Sequence, residues 1–156
     1  MSKKKKNMIK WGIAMISILI VLNIGWFSAR EIKYQPYKQD LSKSIMSTFV
    51  VPRYITQDED GFTYALKYPA YMSLSGNLSV SLPVKDDNPN VDSLIVWIDT
   101  FDKKEYGVVL YENENVYQIE IDSSGNPLDS EDQDIINKHK ENVNSLLKKA
   151  KEKWEI

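Results

Sequence analysis

Asp99 and Asp102 come nearer than any other residues in this chain to a catalytic pair, by type and by spacing. Paired carboxylates cleave glycosides when one is held protonated as the acid and the other ionised as base or nucleophile. These two flank only Thr100 and Phe101 at the end of an apolar run, and closeness in sequence sets neither the separation nor the pKa difference that such chemistry needs. A solvated turn is the preferred reading. His139, the only histidine, falls among apolar residues spaced three and four apart, which predicts a packed or hydrogen-bonded core side chain. A serine triad would have to use it, yet no Gly-x-Ser-x-Gly sequence is present. Zinc would have to be held by one histidine and carboxylates, an uncommon set. Asp122, Ser124, Asn126 and Asp129 are spaced somewhat like a calcium loop, but the central glycine and terminal glutamate are out of register. A Gly-rich phosphate loop and a dinucleotide fingerprint are missing as well. The expectation is a protein that is not an enzyme and uses no cofactor or metal.

Nine tyrosines make a better case for binding. Tyr64, Tyr68, Tyr71, Tyr106, Tyr111 and Tyr117 fall on or beside strand-like segments, where exposed rings would give rigid contacts at low entropic cost. The plainer alternative is that strand tyrosines simply cover the sheet. Binding of an envelope protein is expected. A wall-active hydrolase using Asp99 and Asp102 is the runner-up, with a glycan- or peptide-binding domain beside it; the sequence leaves a small-molecule ligand unknown.

The elements that must position these residues are mostly strands. Leu41, Ile45, Met46 and Phe49 have helical spacing and predict a short lead-in helix. From there the period is two. Residues 49–55 and 62–68 flank Asp58-Glu59-Asp60-Gly61, a hairpin turn signal, and Pro52 should hold the first strand at an edge. Met72, Leu74, Leu78, Val80, Leu82 and Val84 occupy even positions with serines between, giving one apolar and one hydroxyl-lined face; the chain there is either one strand kinked at Gly76 or a hairpin around 75–77. Asp86-Asp87-Asn88-Pro89-Asn90 is a turn-rich break. Residues 94–98 read as a central strand, and 106–111 and 116–121 complete a meander.

The last segment has Ser130 followed three residues later by Gln133, a capping box. Ile135, Ile136, His139, Val143, Leu146, Leu147, Ala150 and Trp154 then mark one face of a helix of about six turns, acidic at its start and lysine-rich at its end. The predicted fold class is α+β: a mainly antiparallel meander covered by a long C-terminal amphipathic helix. A freestanding coiled coil for partner binding is the competing reading of that helix.

Residues 11–29 are uncharged and mostly apolar, close to the ~20 residues a helix needs to cross a bilayer. Trp11 and Trp26 sit near its ends, and Lys10 and Arg30 flank it, as membrane-interface anchors. The run is longer than a secretory signal's, and cleavage after Ala29 would place bulky Phe27 where a small residue is wanted. An uncleaved anchor is expected. The organisation is therefore a basic cytoplasmic arm (1–10), an anchor (11–29), a juxtamembrane stalk (30–46) and an extracytoplasmic domain (47–156), oriented by the lysines before the span.

Residues 31–156 contain 14 basic and 22 acidic residues, a poor surface for nucleic acid. Without cysteine, stability must come from packing, and a cysteine-free single-anchor protein with a lysine-rich start fits a Gram-positive cell surface. Accessory subunits of secretion and conjugation machines, and phage-exclusion proteins, share this layout. The likeness is architectural and carries no residue correspondences.

Overall fold

The computed structural model describes residues 3–84 and 90–156. The chain divides into two compact units, Met1–Tyr34 and Gln35–Ile156. Apart from Asn90, the turn expected over 86–90 lies outside the described residues, as do the first two residues of the basic arm.

The first unit is one helix, α1 (Lys3–Tyr34). At about 1.5 Å per residue it runs for about 48 Å, more than the hydrocarbon core of a bilayer. Among the described residues it is the one helix long and apolar enough to cross a membrane. Its apolar side chains, Ile13, Ile16, Leu19 and Leu22 among them, are exposed. Asn23, the amide in the middle of this greasy surface, donates from Nδ2 to the Leu19 carbonyl at 2.7 Å, so its polar group is partly satisfied within the helix. Near the end of the apolar stretch Trp26 meets Phe27 edge-on, and the Arg30 guanidinium lies 4.9 and 4.8 Å from the two ring centroids. Aromatic and cationic groups gathered in this way are what a membrane interface selects.

The second unit opens with a 3-10 turn at Gln35–Lys38 and then forms a seven-stranded antiparallel sheet in sequence order. Its strands are β1 (Ser42–Lys43), β2 (Arg53–Gln57), β3 (Thr63–Lys67), β4 (Ser75–Ser81), β5 (Ser93–Asp99), β6 (Lys104–Glu112) and β7 (Asn115–Ile121). A 3-10 turn at Ser130–Asp132, helix α2 (Gln133–Lys138) and helix α3 (Lys140–Trp154) complete the chain. Helix α3 packs on β4 and β5.

Register puts Leu66, Leu78, Val80, Leu94, Val96, Ile98, Val108, Leu110, Ile119 and Ile121 on the helix-side face, all buried. Val143, Leu146, Leu147, Ala150 and Trp154 of α3 are buried too, and Trp154 meets Tyr64 edge-on at 5.7 Å. Its indole N–H donates to the Tyr37 carbonyl at 3.1 Å, fastening the end of α3 to the start of the domain. Gly125 has φ +90, and a Cβ there would stand 2.9 Å from Leu147, so the turn after β7 needs glycine both for its backbone and for the approach of α3.

Four expectations change. The strand beside Pro52, expected at an edge, is β2, which is paired on both sides because the two residues of β1 add outside it. The helical spacing of Leu41, Ile45, Met46 and Phe49 is not realised: after the two residues of β1 the chain turns, and Ile45, Met46 and Phe49 stand exposed. Of the four only Leu41 is buried, and one buried side chain does not make a helix worth forming. The six-turn C-terminal helix is broken at His139, which has φ −100 and ψ 14 and ends α2 as it begins α3. Its start is capped by Asp129, whose carboxylate accepts from the Glu131 amide, in place of the box expected from Ser130. Finally, β4 is a single strand that begins only at Ser75, so Met72, at φ +61, and Leu74 lie in the preceding loop and are exposed.

Candidate functional site

The β5–β6 turn shows what the carboxylate pair does. Asp99 Oδ1 accepts from the amides of Phe101 at 2.7 Å and Lys103 at 2.9 Å, so one of its oxygens is committed to shaping the turn. Asp102 is exposed, at φ +65 in the left-handed region. The Asp122 loop is likewise occupied with itself. Asp122 accepts from the Asn126 side chain and from the amides of Ser124 and Asn126, and the Asn126 hydrogen bonds hold its carboxyl below the usual range. Among the described residues no group of three or more His, Cys, Asp or Glu side chains is placed to hold a metal ion.

His139 is hydrogen-bonded, at the centre of a second cluster. Asp92, buried just before β5, accepts from His139 Nδ1 at 2.7 Å, from Asn142 Nδ2 at 2.7 Å and from the Tyr111 amide at 2.8 Å. These bonds tie the α2–α3 break to β5 and β6. A recess of about 430 Å³ opens beside the cluster, lined by Phe62, Pro83, Tyr111, His139 and Asn142 among others. A histidine oriented by a carboxylate can move a proton, but among the described residues no serine or threonine lines the recess to receive that help. As built, the cluster is a clamp whose buried carboxylate is satisfied on both oxygens.

The third place is the sheet face opposite the helices, and it centres on Trp97. Register sets Ser75, Asn77, Ser79 and Ser81 of β4, Ile95 and Trp97 of β5, Glu105, Gly107 and Val109 of β6, and Gln118 and Glu120 of β7 on this face. The far edge of the Trp97 indole occupies the space that a Gly107 Cβ would fill, with Cζ3 2.8 Å and Cη2 3.0 Å from that position. Glycine on β6 therefore lets a large ring lean across the strand. Three recesses of about 360, 480 and 340 Å³ meet at this ring. The first reaches Leu74 and Ser75, and the others run past Glu120 toward Asp122 and Gln118. Asp99, Glu105 and Glu120 border the ring along with Lys103, which is bonded to Glu105 at 2.6 Å. The surround is net acidic.

The tyrosines are placed differently from the expectation that they form the binding surface. Tyr64 and Tyr68 are buried and present no ring to a partner. Tyr64 lies between Trp154 and the β2–β3 turn, and burial together with its hydrogen bond to Asp58 pushes its pKa up to about 12. Tyr106 and Tyr117 share the helix-side face with Leu110 and Val96 and are half-buried. Tyr111 is half-buried beside the Asp92 cluster, and Tyr71 is exposed in the β3–β4 loop. Of the membrane-interface residues, Lys10 and Trp11 are exposed near the start of the apolar stretch, and Trp26 and Arg30 are joined in the grouping described above.

Trp97 was hidden in the sequence because residues 94–98 are continuously apolar, which masks the period of two. Pairing against the serines of β4 is the signal that separates its odd-numbered face. No family model matches this chain, and no curated protein or solved structure is significantly similar to it.

Proposed function

We propose that this protein is a single-pass, membrane-anchored binding protein of the cell envelope, and that it is not an enzyme. In this reading α1 is the uncleaved anchor, its lysine-rich start stays in the cytoplasm, and the sheet domain works outside. The helices cover one face of the sheet and leave the other for a partner.

The observation that carries the reading is Trp97, a large ring on the uncovered face where three recesses meet. Aromatic anchors bordered by recesses concentrate binding energy. The acidic border of Asp99, Glu105 and Glu120 favours a partner segment carrying lysine or arginine, through cation–π contact with the indole and ion pairs at the rim. Tethering keeps such a contact in use even when it is weak, because confinement raises the effective concentration. An accessory component of an envelope assembly, of secretion, conjugation or phage-exclusion type, is the role this suits.

Crosslinking of the full-length protein in its native membranes, with partners identified by mass spectrometry, tests this. The wild-type protein should capture a reproducible set of envelope proteins, and Trp97→Ala should lose it while the domain stays folded. Capture of the same set by both proteins would sink the Trp97 face. Recovery of wall glycan fragments alone would favour the glycan-binding alternative.

A further inference from the structure

We infer that the free edge of β7 accepts an extended, basic segment of another protein as an eighth strand of the sheet, with arginine or lysine side chains of that segment crossing Gln118 and Glu120 to reach the Trp97 indole. The inference rests on the Trp97 reading above and names how the partner binds there.

Two hydrogen bonds at the end of β7 fix the direction of its backbone groups. The Glu120 carbonyl accepts from the Leu128 amide at 2.9 Å and the Asp122 amide donates to the Asn126 carbonyl at 2.8 Å, so the even-numbered residues turn their main-chain groups away from β6. Alternation along the strand gives Val116 and Gln118 the same direction. The returning segment closes the end of this edge through the Ile121–Pro127 bridge and Leu128. Nearer the start of the strand, among the described residues, no other group pairs with the outward amides and carbonyls of Val116 and Gln118, and both residues are exposed. The opposite edge of the sheet is made differently. There β1 spans only Ser42 and Lys43, and a short edge strand gives an incoming chain little to pair with. A row of unpaired N–H and C=O groups is a template for another strand, and β7 contains neither proline nor lysine, the residues that commonly blunt such an edge.

Reach and charge identify the occupant. A strand added beyond β7 lies two strand spacings, about 10 Å, from β6. The Trp97 indole leans over Gly107 of β6, so a long cationic side chain directed from the added strand over Gln118 and Glu120 meets the ring along the recess that these residues line. Glu105 and Glu120 stand on the same face as that path. Backbone pairing supplies affinity whatever the sequence, and alternate side chains over the acidic face supply the preference. A second copy of this chain is the poorer occupant. Its β7 would bring another Glu120 to an edge that carries one, and residues 35–156 hold 13 basic against 21 acidic residues.

The probe is a short peptide of alternating threonine and arginine, capped at both ends and fluorescently labelled, added to the full-length protein in dodecyl maltoside micelles. Fluorescence anisotropy reads affinity, and amide hydrogen exchange resolved by NMR reads the edge. The peptide should bind saturably and slow exchange at the Val116 and Gln118 amides, while those of Tyr117 and Ile119, which face β6, are slow with or without it. N-methylation of one alternate set of peptide amides removes the donors that face β7: the arginine amides in an antiparallel strand, the threonine amides in a parallel one. That set should weaken binding by about tenfold, and methylation of the other set should leave it unchanged. Trp97→Ala and Glu120→Gln should each weaken the unmodified peptide by about threefold to tenfold. Equal affinities for the two methylated sets, with Trp97→Ala still weaker, would overturn strand addition and spare the Trp97 face. Protected amides with both variants binding as wild type would overturn the basic occupant. Slow exchange at Val116 and Gln118 without peptide, quickening on dilution, would overturn it in favour of pairing between two copies. Absence of saturable binding would overturn this inference alone, since the crosslinking above reads the Trp97 face independently.

Discussion

The two ends of the sheet are made from the same kind of short connection and do opposite things. At the end holding the β2–β3 and β6–β7 loops, Lys149 reaches Asp60 at 2.8 Å and Asp58 at 3.6 Å, Lys138 reaches Glu112 at 3.1 Å, and Asp92 gathers His139, Asn142 and the Tyr111 amide. At the other end the loops leave Ile45, Met46 and Phe101 exposed. One end fastens the helices to the sheet, and the other is left free to meet something outside. Polar residues are thus the structural ones here and apolar residues the outward ones, a reversal that a count of buried and exposed types would not reveal.

Removing the centre of the fastened end should have the largest effect. Asp92→Ala strands three donors and is expected to cost about 3 kcal/mol, measured as a shift in the urea midpoint of the full-length protein in detergent. A midpoint within error of wild type would show that the cluster is not a clamp. Next comes Gly107→Val, which drives a side chain into the Trp97 indole and should cost about 1–3 kcal/mol while altering tryptophan emission. Unchanged emission would mean that the ring does not lie over β6.

Alkali gives a graded test of the fastened end. The Tyr64 phenol is pushed up to about 12 in the folded state against an ordinary value of 10.0, so the folded protein binds more protons than the unfolded chain between those values. Its contribution is complete below pH 10 and is lost as pH rises through that window, so urea midpoints should fall there. Tyr64→Phe should flatten the fall, and an equally steep decline in the variant would assign it to other groups. The smallest effect belongs to the exposed loops of the other end: Ile45→Ser and Phe101→Ser should each leave stability within about 0.5 kcal/mol of wild type. A large loss at either position would place those side chains in the core and end the comparison.

Much of the fold was legible in the sequence because the strands obey a period of two and are joined in order. The apolar even positions Leu78 and Val80, the Asp58–Gly61 turn and the run at 94–98 all took the roles their patterns predict. Misreadings arose where a spacing had no partner surface to realise it. Leu41, Ile45, Met46 and Phe49 fit a helix by period alone, and nothing in an isolated period says whether a core lies opposite. The break at His139 depends on Asp92, 47 positions earlier, and no local signal marks it. Tyrosines drew attention as binding residues, yet Tyr64 and Tyr68 are interior and the uncovered face centres on Trp97. The face it occupies follows from a pairing register, which is a long-range property.

Strand order also has a consequence for how the protein is made. Each strand pairs with the one just synthesised, so the sheet can assemble progressively while the chain is still growing, with little loop-closure entropy to overcome. Helix α3, which packs on β4 and β5, is synthesised after all seven strands. Leu78, Val80, Leu94 and Val96 therefore wait uncovered until α3 follows. During that interval the nascent sheet has an apolar face on offer to any chaperone that recognises one, until α3 packs on β4 and β5.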